Sequence, residues 1–148
     1  MGVYPVYPKK QLFMTRTATI LSWALRIIAA GLMLQTLYFK FTAADESVYI
    51  FSTLHIEPWG RIGTGVMELI ASVLILLPRT VIAGAILAIG IMAGAVVSHL
   101  FILCISVQND GGQLFIYALT VLISSGILFW MHRRQLNNFL PAKYHLSK

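Results

Sequence analysis

The sequence VIAGAILAIGIMAGAVVSHLFILCISV, residues 81–107, decides the fold class of this protein. It is 27 residues long, and His99 is its only acidic or basic side chain. About 20 consecutive apolar residues are enough to cross the hydrocarbon core of a bilayer as a helix. Backbone groups in that core have no water to bond, so a run of this length folds into a helix that satisfies its own hydrogen bonds. We therefore predict a transmembrane helix here.

Three further apolar runs flank this one, two before it and one after it. Together the four runs predict membrane spans at about residues 17–40, 60–77, 81–106 and 112–131. The composition agrees, since 58% of the 148 residues are hydrophobic and 11% are charged, against about 25% charged in ordinary soluble domains. The sequence predicts an all-α protein, an integral membrane four-helix bundle that forms a single membrane domain over residues 1–148.

The basic residues indicate the orientation of this bundle. Eight of the eleven Lys and Arg residues lie in the two tails, residues 1–16 and 132–148, or in the turn at Arg79. Positive residues accumulate on the cytoplasmic side of membrane proteins, so we predict that both termini are cytoplasmic. We expect a multi-pass protein of the inner (cytoplasmic) membrane, with the lipid bilayer as its first partner. This topology accounts for the net charge of +6, so no nucleic-acid partner is expected.

The connection between the first two spans, about residues 40–61, is the only long one. It mixes apolar residues with Asp45, Glu46 and Glu57, and Pro58 follows them. This pattern favours a short amphipathic helix that lies across the outer mouth of the bundle, begins near Asp45 and ends before Pro58. We expect this segment to be the main external element.

Three ionisable side chains are expected at similar depths in the outer half of the bundle. Lys40 ends the first span, Glu68 lies roughly 9 Å below the outer surface in the second, and His99 lies roughly 8 to 12 Å from the outer end of the third. An ionised group at mid-bilayer costs about 2.5 to 3.5 kcal/mol, so each needs a partner or a water-filled cavity. We predict an outward-facing polar pocket lined by these three residues with Arg61 and Asp110. Glu68, His99 and Lys40 are the candidates for any catalytic role.

Two other interpretations of the same residues stay open. Lys40, Glu68 and His99 can serve as interhelical hydrogen-bonding groups that fix the register of the bundle. The second is a continuous ion path, which needs polar groups in the inner half of the bundle. The inner half offers few such groups, and Arg26 is the exception. Arg26 is 14 residues before Lys40 and is expected to face the bundle interior or to extend its side chain toward the inner surface. His132 is assigned to the basic tail.

No metal site is predicted from the histidines and the cysteine. The chain has one cysteine, Cys104, and four histidines, which we cannot assemble into a four-ligand zinc site. Haem would need a second intramembrane histidine beside His99, and the predicted spans contain none.

The motifs that carry a family resemblance lie in all four spans. They are LRIIAAGLMLQTLYFKF (25–41), GTGVMELIASVLILLPR (63–79), AGAVVSHL (93–100) and GGQLFIYAL (111–119). Together they resemble the DoxX-like family of small membrane proteins, whose first helix closes with Lys-Phe and whose second contains a glutamate. Gln35 and Thr36 depart from the common first-helix pattern, in which a small glycine is expected nearby.

The resemblance implies a four-helix inner-membrane protein. Some members of the family are small membrane subunits associated with quinone-linked oxidation of sulfur compounds or with oxidative-stress complexes. Lys40, Glu68 and His99 match the family's recurrent polar positions. We therefore expect a membrane subunit that binds a quinone or another small redox substrate, with a membrane or periplasmic redox protein as its partner and a homo-oligomer as a further option. The alternative is a non-enzymatic accessory or assembly subunit that docks a larger complex through residues 42–60.

Overall fold

The computed structural model describes residues 15–133, and all regular structure in that range is helical. Its helices are α1 (Arg16–Phe41), α2 (Asp45–Thr53), α3 (Trp59–Leu76), α4 (Val81–Ser98) and α5 (Gln113–His132). Helix α4 continues directly into a π-helical turn, His99–Leu103. Four segments are long and apolar enough to cross a membrane: α1, α3, α5 and the continuous stretch Val81–Leu103. The prediction of an all-α protein with four membrane spans is therefore confirmed, while nearly all of the two basic tails lies outside the described residues.

The third span ends earlier than the sequence predicted. It stops at Leu103 instead of residue 106, because Cys104 adopts a φ of 66°. A residue in this left-handed conformation cannot continue a right-handed helix. Residues 104–112 then form an irregular connection to α5.

The four long helices form a ring in which each packs against its two neighbours. Helix α1 contacts α3 and α5, and α4 contacts the same two helices from the other side. The buried core is built largely from small and aliphatic side chains, including Ala29, Met33, Ala71, Ile75 and Ala88. Small residues let helix backbones approach closely, which is how helices associate in a membrane. Large aliphatic side chains cover much of the outer surface, as expected where lipid surrounds the protein.

Helices α3 and α4 meet closely at the end where residues 77–80 join them. A Cβ at Gly84 would lie 2.6 Å from the backbone nitrogen of Ile75 and 2.8 Å from Cβ of Leu74, so this contact requires glycine. Thr80 Oγ1 donates a hydrogen bond to the carbonyl of Leu74 at 2.9 Å and closes the turn. The two helices are thus held backbone against backbone at this end.

The connection between α1 and α3 contains α2, whose residues Ser47 and Phe51 are buried against the bundle. Helix α2 contacts α1, α3 and the π turn, so it lies across the end of the bundle where α1 ends and α3 begins. Asp45 and Glu46 occupy its first turn, where negative charge stabilises the helix dipole. We call this the α2 end of the bundle, and we call the end with residues 77–80 the opposite end.

Candidate functional site

A cavity of about 680 Å³ lies at the α2 end, bordered by the four long helices and by α2. Cavities of about 300 to 1,000 Å³ with mostly apolar walls and a few polar groups are typical of small-molecule sites. Leu32, Ile50 and Met67 are among the apolar side chains in its wall. Four of the five residues that the sequence assigned to a pocket line this cavity: Lys40, Glu68, His99 and Asp110.

Lys40 and Glu68 form an ion pair in the cavity wall. Lys40 Nζ lies 2.6 Å from Glu68 Oε2 and 2.7 Å from Oε1, and Thr36 Oγ1 lies 3.0 Å from Oε2. Lys40 and Thr36 are one turn apart on α1, and they meet Glu68 across the contact with α3. Only 5% of the Glu68 side chain and 14% of the Lys40 side chain are exposed. Each charge therefore compensates the other in a place where an unpaired ion would be costly.

His99 is the first residue of the π turn, and one ring nitrogen is already used. Its Nδ1 lies 3.0 Å from the carbonyl oxygen of Cys104. A carbonyl only accepts, so Nδ1 carries the proton and donates it. Nε2 has no hydrogen-bond partner within residues 15–133. In the neutral ring Nε2 is an acceptor, and in the protonated ring it is a donor, so His99 can bond to either kind of group in the cavity.

The carboxylate of Asp110 is occupied by backbone groups, although the residue lines the cavity. Its oxygens accept hydrogen bonds from the N–H groups of Val107 (2.8 Å), Gly112 (2.8 Å) and Leu114 (3.1 Å). Burial acts to raise the pKa of Asp110, but these bonds and one from Ser106 outweigh it, so the pKa lies below its ordinary value. Asp110 therefore orders the connection into α5.

Arg61 differs from the sequence-based expectation, since it does not line the cavity. Its guanidinium bonds to Glu57 one turn earlier, with Nη2 and Oε1 2.7 Å apart, and it also donates to the backbone carbonyl of Lys40. Arg61 is buried on α3, on the side where Gly65 contacts Phe41 of α1. The structure thus gives Arg61 the role of joining α1 to α3 behind the ion pair.

The cavity reaches the surface of the bundle between α3 and α4. Gly63 and Met67 on α3, and Gly90 and Gly94 on α4, all line the cavity and are all exposed. A Cβ at any of these three glycines would meet nothing within 4 Å, in contrast to Gly84. The two helices therefore separate toward the α2 end and leave an opening that faces the surroundings of the bundle.

A second polar cluster lies at the opposite end, and the sequence located only part of it. Arg26 faces the bundle interior as predicted, and its Nη2 lies 3.0 Å from Nε2 of His132. The assignment of His132 to the tail was wrong, because α5 extends to this residue and buries it. The signal that could have placed it is its spacing of four and seven residues from Leu128 and Ser125, which puts all three on one helix face.

Residues 15–133 contain no group of three or more His, Cys, Asp or Glu side chains that could hold a metal ion. The acidic and basic side chains that line the cavity are the Lys40–Glu68 pair, His99, Asp110 and Glu46, beside neutral polar and apolar side chains.

Comparison with known proteins identifies the family. A family model described as the DoxX-like family matches residues 24–126. The chain belongs to the DoxX-like family. The range shared with DoxX-like proteins includes Lys40, Glu68 and His99 and ends six residues before His132. No curated protein and no solved structure matches this DoxX-like chain.

Proposed function

We propose that this DoxX-like membrane protein binds a quinone or another small redox-active molecule in the cavity at the α2 end, as a membrane subunit of an oxidoreductase system. The observation that carries the proposal is a cavity of about 680 Å³ with mostly apolar walls, into which a buried ion pair and a histidine converge. This combination suits a molecule with an apolar body and a polar ring. The volume is large enough for a substituted aromatic ring and the first part of its tail.

The opening between α3 and α4 supports a ligand that is dissolved in lipid. Gly63, Gly90 and Gly94 border this opening without a side chain to close it. A ligand with a long apolar tail could place its ring in the cavity and leave the tail in the bilayer. A polar metabolite would gain nothing from such an entrance.

The polar groups of the wall suit the two oxygens of a quinol or quinone ring. Nε2 of neutral His99 can accept a hydrogen bond from a quinol hydroxyl, and protonated His99 can donate to a quinone carbonyl. Lys40 Nζ has three donors, of which two face the Glu68 carboxylate and one makes a long 3.4 Å hydrogen bond to Thr36 Oγ1. A ligand oxygen that replaces the Thr36 contact would leave the pairing with Glu68 intact. The electrons of the ligand would pass to or from a separate redox protein of the membrane or periplasm.

The proposal includes a location and an orientation. Lys and Arg accumulate in the tails and at Arg79, so we infer an inner-membrane protein with both termini in the cytoplasm and the α2 end on the outer side. Trp59 is 81% exposed near the α2 end, at a position where aromatic side chains meet the membrane surface.

Ligand retention tests the proposal. The wild-type protein is purified in mild detergent, extracted with organic solvent and examined by mass spectrometry, and we expect a quinone in near-stoichiometric amount. Gly94→Leu, whose side chain would enter the cavity opening, should retain much less. Gly31→Leu is the matched control, because Gly31 is equally free of neighbours but lies on an exposed face of α1 away from the cavity.

A second measurement distinguishes a protein that loses its ligand during purification from one that does not bind such a ligand. Addition of a short-chain benzoquinone should raise the unfolding temperature of the wild type, and His99→Ala should reduce that rise. A wild-type protein that retains no quinone or other small redox molecule and is not stabilised by the benzoquinone would overturn the proposal.

A non-enzymatic docking role is the second candidate. Tyr49 and Ile56 are close to half exposed, and the direct pairing of Lys40 with Glu68 is what a purely structural role would require. In that case residues 42–60 would contact a larger membrane complex or a second copy of the chain. The double variant Tyr49→Ser, Ile56→Ser should then abolish co-purification of a stable partner and leave ligand retention unchanged. The cavity-binding function predicts instead that Gly94→Leu reduces the activity of the oxidoreductase system more than this double variant does.

A further inference from the structure

One guanidinium nitrogen of Arg26, Nη1, is buried at the opposite end of the bundle and has no hydrogen-bond partner in the part of the chain that the structure describes. The residue is 5% exposed, and its Nη1 makes no hydrogen bond within residues 15–133. The other guanidinium nitrogens are occupied: Nε donates to Ser22 Oγ at 3.2 Å, and Nη2 lies 3.0 Å from His132 Nε2. Buried donors in native proteins nearly always have a partner, which can be a bound ion or ligand.

The two partners of Arg26 are both neutral. His132 Nδ1 lies 3.0 Å from the carbonyl oxygen of Leu128, which can only accept, so Nδ1 carries a proton. Arg26 can only donate, so Nε2 of His132 must be the acceptor. His132 is therefore neutral in this arrangement, and Ser22 carries no charge. The Trp23 ring, 4.9 Å from Cζ, stabilises the guanidinium through a cation–π contact, but neither hydrogen-bond partner supplies a negative charge.

No side-chain carboxylate of the chain is in a position to compensate it. The five acidic residues are Asp45, Glu46, Glu57, Glu68 and Asp110, and all of them lie toward the α2 end or in its connections. Glu68 is paired with Lys40, which is 14 residues, or about 21 Å, farther along α1 than Arg26. A buried charge without a charged partner is unfavourable, so a counter-anion from outside the chain would stabilise this end.

The aromatic residues around the cluster indicate its depth. The Trp23 ring lies 4.9 Å from Cζ of Arg26, and Arg133 stacks over the Trp130 ring at 3.7 Å. Tryptophan is enriched at the boundary between headgroups and hydrocarbon. The guanidinium of Arg26 therefore lies near the level of lipid phosphates.

We propose that Arg26 binds a phosphate group at the α1–α5 contact, with Ser22 and His132 holding the guanidinium so that Nη1 donates to a phosphate oxygen. Phosphate oxygens are acceptors, carry the missing negative charge and match the planar guanidinium. The headgroup of a phospholipid and free inorganic phosphate both offer this chemistry. This site is separate from the cavity at the α2 end, and Arg26 does not line that cavity.

Thermal unfolding of delipidated protein tests the site. In one experiment, sodium phosphate should raise the unfolding temperature of the wild type more than sodium chloride does at equal ionic strength. In the other, phosphatidylglycerol in the detergent micelle should raise it more than diacylglycerol does. The first result identifies free phosphate as the ligand, and the second identifies a lipid headgroup. Arg26→Gln should weaken the apparent affinity by roughly tenfold or more, since a charge-assisted hydrogen bond and the charge itself are lost.

Arg16→Gln is the matched control, because it removes the same charge from the exposed first residue of the same helix and should leave the effect unchanged. If Arg26→Gln does not fold, native mass spectrometry of the wild type decides: the delipidated protein must regain phosphate or phospholipid mass when either is added back. The proposal is overturned if wild-type protein gains neither mass nor thermal stability from either source of phosphate, that is, if phosphate acts no better than chloride and phosphatidylglycerol no better than diacylglycerol. It is also overturned if Arg26→Gln and Arg16→Gln respond alike.

Discussion

Lys40 Nζ and the carboxylate of Glu68 are joined by two short hydrogen bonds across the α1–α3 contact, although the residues are 28 positions apart in the sequence. Removal of one partner leaves the other charge buried, which is more costly than the absence of both. Lys40→Met should therefore lower the free energy of unfolding by about 3 kcal/mol. The double variant Lys40→Met with Glu68→Leu should be more stable than Lys40→Met alone. Denaturant titration in mild detergent measures both.

Arg79→Met serves as the control for this pair, because Arg79 is exposed in the turn and its loss should change stability by no more than about 0.5 kcal/mol. A double variant that is less stable than either single variant would mean that the two side chains act independently.

The contrast between Gly84 and Gly94 gives a prediction about packing. A Cβ at Gly84 would meet backbone of α3, so Gly84→Ala should destabilise the bundle by about 1 to 3 kcal/mol. A Cβ at Gly94 meets nothing within 4 Å, so Gly94→Ala should be neutral or stabilising by up to about 1 kcal/mol through helix propensity. Gly31→Ala should behave like Gly94→Ala. Equal stability of the Gly84 and Gly94 variants would contradict the separation of α3 and α4.

The single cysteine provides a test of orientation. Cys104 is exposed in the connection after the π turn, at the α2 end. A membrane-impermeant maleimide should label it in intact cells, because the α2 end is expected to lie on the outer side. In a Cys104→Ser background, Arg79→Cys should be labelled only after the cells are permeabilised. The reverse pattern would invert the proposed topology.

The low pKa of Asp110 predicts an acid-sensitive contribution to stability. The pKa is lower in the folded protein than the value of about 3.9 for an unfolded chain, so the carboxylate stabilises the fold above about pH 4. That contribution is lost as the pH falls through the folded pKa. Asp110→Asn should therefore be less stable than wild type at neutral pH and should lose less stability on acidification. Thermal unfolding from about pH 7 to 3 measures this, with the exposed Asp45→Asn as control; parallel curves for wild type and Asp110→Asn would contradict it.

The sequence was sufficient to predict the four spans, and the three residues that it placed at similar depths, Lys40, Glu68 and His99, all line the cavity. Hydrophobic length is a property of the chain alone, and a fixed rise per residue converts position in a span into depth. Depth does not determine the direction of a side chain around its helix. Arg61 has a suitable depth, but Glu57 one turn earlier and the carbonyl of Lys40 hold it behind the cavity wall.

Two other features depend on the backbone conformation or on a contact with another helix, which the apolar pattern of the sequence does not reveal. The π turn at His99 is accompanied by the left-handed Cys104, whose carbonyl accepts a hydrogen bond from the imidazole. His132 precedes basic residues that are typical of a tail, but it is the last residue of α5 and its ring bonds to the Leu128 carbonyl and to Arg26, 106 positions away. The spacing within α5 indicates which face His132 shares with Leu128, but not that Arg26 is its partner.

The backbone contact at Gly84 has a mechanical consequence. Helices α3 and α4 touch at Gly84 and stand apart at Gly94, ten residues or about 15 Å farther along α4. A rotation of α4 about the contact at Gly84 would therefore move Gly94. A tilt of about 5° around that point would shift Gly94 by roughly 1.3 Å while the core at the opposite end stays in place. The width of the cavity entrance therefore depends on the angle between α3 and α4, and a force from the surrounding bilayer that tilts α4 would change it.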